Sequence, residues 1–308
     1  MKVQNPRQVY GETLVELGRE NKDIVVLEAD LGKSTMTSLF EEEFPERFFE
    51  MGIGEANMTS FAAGLSLTGK IAFTNSFAVF AAGRSFDQIR QAICIPSLNV
   101  RIVGSSAGLS DFGDGATHQS VEDVAIMRAV PNMTVLVPAD GTETRKMVRK
   151  IVGYKGPVYL RINRHDIPDT FPEEQEFVVG KPYQIREGSD VTVFANGIMV
   201  SKAVEAAEIL GKEGISVRVV NVSSLKPVDE DEIKRFASGV KGIVTAEEHS
   251  LIGGLASVIT YIMRGNATPL IPIGIEDRFG QSAHSYDELL EEYGLTTDKI
   301  IDSVRRLM

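Results

Sequence analysis

Tryptophan is missing from this chain of 308 residues, and cysteine occurs once, at Cys94. A single thiol excludes an internal disulfide and a cysteine-rich metal site. Cys94 lies in the apolar run Ala92-Ile93-Cys94-Ile95, so it is expected as a buried structural thiol rather than a nucleophile. Positive charge is also short. Against 43 Asp and Glu stand 32 Lys and Arg, a net charge of −11. That balance argues against a nucleic-acid partner, which calls for basic clustering. The four histidines, His118, His165, His249 and His284, lack metal-ligand spacing, and no metal-binding residue is expected in this chain. There is no leader-like segment and no apolar run long enough to span a bilayer. The expectation is a cytoplasmic protein with no membrane partner.

What is present is alternation. Strand-like runs at 23–31, 71–75, 100–105, 134–138 and 158–162 are separated by helix-like segments at 56–67, 81–93, 121–129 and 142–153. Runs rich in Val and Ile suit a buried parallel sheet, and the alternation suits βαβ units. Residues 166–189 then bring three prolines, two glycines and the acidic Glu173, Glu174 and Glu176, which read as a surface linker. Alternation resumes with strands at 191–195, 216–222, 242–246 and 271–275, and helices at 200–214, 229–237, 251–263 and 297–308. The chain is read as α/β with two doubly wound domains, 1–170 and 190–308, joined by a linker at 171–189.

Several segments carry candidate chemistry. Glu55 follows Gly52-Ile53-Gly54 and opens an apolar helix. It reads either as a first-turn carboxylate favoured by the helix dipole or as the acceptor for a ring nitrogen in a pocket made by small neighbours. Phe73, Phe77 and Phe80 straddle a strand-to-helix turn, where aromatics either fill the core or stack on a heteroaromatic ligand. The string Gly113-Asp114-Gly115-Ala116-Thr117-His118-Gln119 sets an acceptor and a titratable donor four residues apart. A capping Asp with a solvent-facing His is the plainer alternative. Arg164, just past a strand, suits a phosphate clamp or an ion pair with the acidic linker. Arg7 has no evident partner. Glu247-Glu248-His249-Ser250 before Gly253-Gly254 reads as a polar loop packed against another domain or chain.

The ordered set resembles the C-terminal half of transketolases along the whole chain. It comprises Arg7, Ala29-Asp30-Leu31, Gly52–Glu55, Phe73–Gly83, Gly113–Gln119, Pro138-Ala139-Asp140-Gly141, Arg164 and Glu247–Gly254. The resemblance implies a pyrimidine-binding domain for thiamine diphosphate followed by a smaller C-terminal domain. It implies that Glu55 bonds N1′ of the aminopyrimidine, that Phe77 stacks on this ring with Phe80 beside it, and that Asp30 and Ile53 lie at the cofactor. It further implies that His118 and Asp114 contact substrate hydroxyls, His118 acting in catalysis, and that Arg7, Ser34 and Arg164 hold a sugar phosphate. Two departures stand out. Ser106 occupies the position of a phosphate-binding His, which removes one donor. Gly113 replaces the usual Glu before Asp114, with Asp111 nearby.

The motif that holds Mg²⁺ and the diphosphate in this family, Gly-Asp-Gly with an Asn about thirty residues on, is absent. The resemblance therefore implies one half of a split transketolase. Its partner chain would supply the metal and diphosphate site, in an α₂β₂ assembly that moves a two-carbon ketol unit from a ketose phosphate to an aldose in carbohydrate metabolism of the pentose phosphate type. Three competing readings keep the fold: a 1-deoxyxylulose-5-phosphate synthase-like subunit, a 2-oxoacid dehydrogenase E1 β-like subunit, and a non-catalytic binding module.

Overall fold

Valine and isoleucine runs form the strands and are buried on both faces, as a sheet covered by helices requires. Ile24–Glu28, Val100–Ser105 and Val191–Ala195 have no exposed residue. The computed structural model describes residues 2–308. The first sheet has seven strands in the order Ser224–Lys226, Thr134–Leu136, Val158–Arg161, Val100–Ser105, Ile71–Phe77, Ile24–Glu28 and Phe48–Glu50. All neighbours are parallel except Ser224–Lys226, which runs antiparallel to Thr134–Leu136. The second sheet has five strands in the order Leu270–Ile275, Gly242–Ser250, Val191–Ala195, Val217–Asn221 and Tyr183–Arg186, with only the last antiparallel. The expected α/β architecture is the one observed.

The two layers are not strung apart. Ser224–Lys226 lies in the later half of the chain yet borders the first sheet. One core joins Val124 and Met127 to Leu255 and Ile259. The stretch 171–189 is not the surface linker expected from its prolines and acids. It contains the strand Tyr183–Arg186, and Phe171, Phe177 and Tyr183 are buried in the first layer's core. Burial of three aromatic rings outweighs the loop signal of the flanking prolines and glycines.

Local chemistry accounts for other differences. A helix at Pro6–Glu20 begins where the Asn5 side chain accepts from the backbone N–H of Arg7 and Gln8, with Pro6 in the first turn. The segment expected as one helix over 81–93 divides into Ala78–Gly83, Phe86–Gln88 and a π-helical turn at Ile89–Cys94. The break falls at Ser85, whose hydroxyl bonds back to the Ala81 carbonyl at 2.6 Å. Cys94 is buried, as expected. No helix among the described residues is long and apolar enough to cross a membrane.

Candidate active site

In an open parallel sheet, ligands gather beyond the carboxyl ends of the strands. Every candidate residue following a strand of the first sheet sits at that edge. Asp30 follows Ile24–Glu28, the Gly52–Glu55 segment follows Phe48–Glu50, and Phe77 ends Ile71–Phe77. The 106–119 loop follows Val100–Ser105, and Arg164 follows Val158–Arg161.

The Glu55 side begins with a buried carboxylate. Glu55 is only 4% exposed and opens the helix Glu55–Leu67. Its Oε1 accepts from Arg84 Nη1 at 2.9 Å. Its Oε2 makes no hydrogen bond among the described residues, which leaves one acceptor edge free. The Arg84 guanidinium lies 3.9 Å from the Phe80 ring centre. Phe77 and Phe80 are nearly parallel, with centroids 6.1 Å apart and 15° between their planes. His118 stands steeply to both, 6.2 Å from Phe77 at 71° and 5.3 Å from Phe80 at 74°. A carboxylate edge, two aligned rings and an imidazole therefore share one wall. Beside it, Asp30 has φ of 60° and donates its N–H to Glu50 Oε1 at 2.9 Å. Gly52 N–H donates to the same oxygen at 2.8 Å, so Glu50 ties the two strand-end loops together. Ile53, next to Gly52, is 75% exposed.

The 112–119 loop is braced from the second layer. Ala283 N–H donates to the Phe112 carbonyl at 2.9 Å, and Gln119 Nε2 donates to the Gln281 carbonyl at 3.0 Å. Gly115 has φ of 70°, and a Cβ there would sit 2.5 Å from Ser282 Oγ. Gly115 is thus required both for its backbone conformation and for this close approach. Within the loop, the Thr117 hydroxyl and His118 Nδ1 are 2.9 Å apart.

Asp114 faces a different space from His118. With Arg7, Arg164 and Asp111 it lines a cavity of about 680 Å³ that Tyr286 and Asp287 close from the second layer. His118 is not in that lining. Arg164 Nη1 pairs with Asp111 Oδ2 at 2.5 Å. Arg7 Nη1 donates to the Ser34 carbonyl at 2.6 Å, so Ser34 meets Arg7 through its backbone. Burial and the neighbouring Arg164 pull Arg7 down to about 10, while Asp111 and Asp166 pull it up. Ser106 is fully buried at φ of 51°, and its hydroxyl has no partner.

The Glu247–Ser250 segment packs against the first domain, as expected of it. Glu248 accepts from Leu109 N–H at 2.7 Å and from Asn163 Nδ2 at 3.0 Å. Its carbonyl accepts from Arg161 Nη2 at 2.9 Å, and Arg161 is paired with buried Asp123. Glu247 accepts from Leu255 and Ala256 N–H at 2.6 and 2.7 Å. Its carboxylate thus takes the open N–H groups at the start of the helix Leu255–Ile262. Burial, opposed by those bonds, raises it to about 7. Burial lowers His249 to about 4, so it sits neutral in the seam.

Sequence reasoning missed Arg84 as a partner of Glu55, Glu50 as a loop tie, and the 280–287 segment as a wall. Arg84 follows the quoted Phe-rich segment directly, so proximity alone offered a signal. The 280–287 segment offered none, because it reaches the site only through the docking of the second layer.

The architecture defines the class: an α/β unit on a seven-stranded, mostly parallel sheet followed by an α/β unit on a five-stranded one. The family model "Transketolase, pyrimidine binding domain" matches residues 3–170, and "Transketolase, C-terminal domain" matches 180–300. The chain belongs to the transketolase family. It is similar to a protein of Methanocaldococcus jannaschii described as a transketolase C-terminal section, with 45% identity over 98% of this chain and 96% of that protein. A 6-deoxy-6-sulfo-D-fructose transketolase subunit of a Clostridium species is 41% identical over 96% of this chain and 92% of that protein. Among solved structures, a split gene transketolase described as an inactive beta4 tetramer superposes with a TM-score of 0.88, at 46% identity over 98% of this chain and 97% of that chain.

Proposed function

We propose that this chain is the pyrimidine-side subunit of a split, thiamine diphosphate-dependent transketolase. With a partner it moves a two-carbon ketol unit from a ketose, phosphorylated in the family's usual pattern, to an aldose. The observation that carries the reading is the free Oε2 edge of Glu55 beside the aligned Phe77 and Phe80 rings. A buried carboxylate with one oxygen held and one free suits a protonated ring nitrogen, and flat rings suit a flat heterocycle. The aminopyrimidine therefore fits this chain's own residues. Among the described residues no three His, Cys, Asp or Glu side chains converge as metal ligands. By the likeness to the C-terminal half of the family and to a split gene transketolase, the Mg²⁺ and the diphosphate are assigned to the partner, in an α₂β₂ assembly.

Bound cofactor supplies the carbanion and the electron sink of ketol transfer, the hard chemistry that protein side chains lack. This chain's residues bind and orient. Glu55 holds the ring proton, and Phe77 and Phe80 fix the plane of the ring. Asp30 and Ile53 border it from the strand-end loops. His118, steeply inclined to both rings, stands where a substrate hydroxyl meets the reacting centre, and it holds or passes the proton there. Asp114, Arg7 and Arg164 receive the far end of the sugar, with Ser34 bracing Arg7. Residues 1–170 form the pyrimidine-side domain and 190–308 the C-terminal domain, which braces the 112–119 loop.

The test is co-expression with a partner chain that carries the diphosphate-binding domain, followed by an assay of ketol transfer with added thiamine diphosphate and Mg²⁺. Transfer by the pair and by neither chain alone is expected. Ketol transfer by this chain alone, or decarboxylation of a 2-oxoacid in place of ketose cleavage, would sink the reading.

A further inference from the structure

Glu28 ends a strand of the first sheet and is fully buried. Its hydrogen bonds all go to the loop that follows. Oε1 accepts from Ala29 N–H at 3.1 Å, and Oε2 accepts from the hydroxyls of Thr35 and Thr37 at 2.7 and 2.6 Å. Both hydroxyls are buried, 3.0 Å apart. These bonds fall at particular points of the backbone. Asp30 and Met36 are non-glycine residues with φ of 60° and 67°, a conformation that side chains disfavour. Ala29 precedes the first, and Thr35 and Thr37 flank the second. One carboxylate thus holds both bends of the loop 30–36. Glu50, its register partner on the neighbouring strand, adds a bond from Asp30 N–H at 2.9 Å. Burial pushes Glu28 up to about 7 in spite of its three bonds, so the fold keeps this acceptor against a desolvation cost.

The loop in turn supports Arg7 at two places. The Ser34 carbonyl accepts from Arg7 Nη1 at 2.6 Å. The helix Pro6–Glu20, which bears Arg7, rests on the loop at Gly11, where a Cβ would collide with the Met36 carbonyl oxygen. The guanidinium spends Nη1 on the Ser34 anchor, and its buried Nε bonds no described residue, which leaves that donor for a ligand. A change in the shape of the loop therefore moves both the side chain of Arg7 and the helix that carries it. We propose that Glu28 is a positioning residue: by holding both bends of the 30–36 loop it aims the Ser34 carbonyl, and through it Arg7, at the phosphorylated end of the sugar. The proposal rests on the reading of the chain as a transketolase subunit. Glu28 touches neither substrate nor cofactor, and it acts on affinity for a phosphorylated ligand rather than on ketol chemistry.

Two measurements test it. In the assembled complex, fructose 6-phosphate and hydroxypyruvate are compared as ketol donors, with glycolaldehyde as acceptor. Glu28→Leu removes every acceptor, Glu28→Gln retains one, and Thr35→Val removes one donor at constant shape. KM for fructose 6-phosphate is expected to rise about tenfold in Glu28→Leu and less in the other two, the scale of hydrogen bonds lost from a charged group. Its kcat is expected to stay within about twofold, because the chemical step is untouched. KM for hydroxypyruvate, which has no phosphate for Arg7 to hold, is expected to stay in place. Equal changes for the two donors, or none, overturn the proposal. The second measurement needs no turnover. Amide hydrogen exchange of this chain alone is expected to quicken over residues 30–37 in Glu28→Leu, with the seven-stranded sheet unchanged. Exchange that is unaltered there, or quickened throughout the chain, overturns the proposal. Absence of ketol transfer from the wild-type complex would condemn the enzymatic reading, and the exchange result would still decide whether Glu28 holds the loop. Melting curves identify a variant that fails to fold. Thr35→Val, which leaves the carboxylate and Thr37 in place, then carries both comparisons.

Discussion

Two regions of the carboxyl edge differ in how they are built. The wall around Glu55 comes from the first domain alone and carries one carboxylate, one guanidinium and three aromatic rings. The cavity beyond Asp114 is made by both domains and crowds six charged side chains together. The first region, on the function proposed, would recognise shape, because flat rings and one free carboxylate edge suit a flat, hydrogen-donating heterocycle. The second, on the function proposed, would sort ligands by charge, because six fixed charges line it. The contrast separates a surface set by local sequence from one set by domain docking.

The largest effect is expected from breaking the first region at its single acceptor. Glu55→Gln retains the size of the side chain but removes the anionic edge. Ketol transfer by the assembled complex should fall by about a thousandfold, within the range for a lost proton-transfer partner. Single-turnover assays at saturating cofactor would check it, with binding of phosphate to the chain alone as a control on the second region. Undiminished transfer would show that Glu55 is a first-turn carboxylate and nothing more.

The seam that supports the second region has its own signature. Glu143 is fully buried at the junction, accepting from Ala139 N–H at 2.7 Å, Asn221 Nδ2 at 2.9 Å and Ser223 Oγ at 2.5 Å. Burial raises it from 4.5 to about 8, against the lowering by Ser223 and Ala139. The folded chain therefore keeps a proton that the unfolded chain gives up. The associated stability is fully present below about pH 4.5 and is lost as pH rises to about 8. Glu143→Gln keeps neutral acceptor and donor groups in place and removes this titration. Urea midpoints measured across that window should fall with pH in the wild type and fall less steeply in the variant, where the buried Glu28 and Glu247, each raised to about 7, still titrate. The difference in slope is bounded by about 1.4 kcal/mol per pH unit. Parallel slopes for the two proteins would show that Glu143 is not the titrating group.

Much of the first region was legible because its residues lie in short, local patterns. Gly52–Glu55 and Phe73–Gly83 are contiguous strand-to-helix turns; the apolar run at 71–75 located the strand that carries the second, while the three-residue strand Phe48–Glu50 that carries the first is too short to stand out. The helix Pro6–Glu20 was legible in principle, through Asn5-Pro6 and the later apolar positions, but strand–helix alternation drew the reading past it. The second region was legible only in part. Arg7, Asp114 and Arg164 come from three separate stretches, and spacing does not reveal that Asp111 rather than the acidic 173–176 cluster pairs with Arg164. Tyr286 and Asp287 reach the cavity by tertiary docking alone. The surface linker expected at 171–189 failed for the same reason: proline and glycine mark a turn locally, and only the assembled fold shows that Phe171 and Phe177 are buried.

The smallest effect sharpens the first region, at Arg84. Its guanidinium is half-exposed, bonds Glu55 Oε1 at 2.9 Å and lies 3.9 Å from the Phe80 ring centre. A planar group that both hydrogen-bonds a carboxylate and stacks on a ring fixes the direction in which the other carboxylate oxygen points. Arg84→Met removes the bond and the charge, Arg84→Lys the plane alone. Thiamine diphosphate affinity of the assembled complex, read by calorimetry, should weaken by about tenfold in the methionine variant and less in the lysine variant, the scale of one charge-assisted hydrogen bond. The melting temperature should move little, because the pair is open to solvent on the arginine side. A positioning role predicts affinity loss without loss of stability. Equal affinity in all three proteins would make the pair an ordinary surface contact and leave Phe77 and Phe80 to orient the ring unaided.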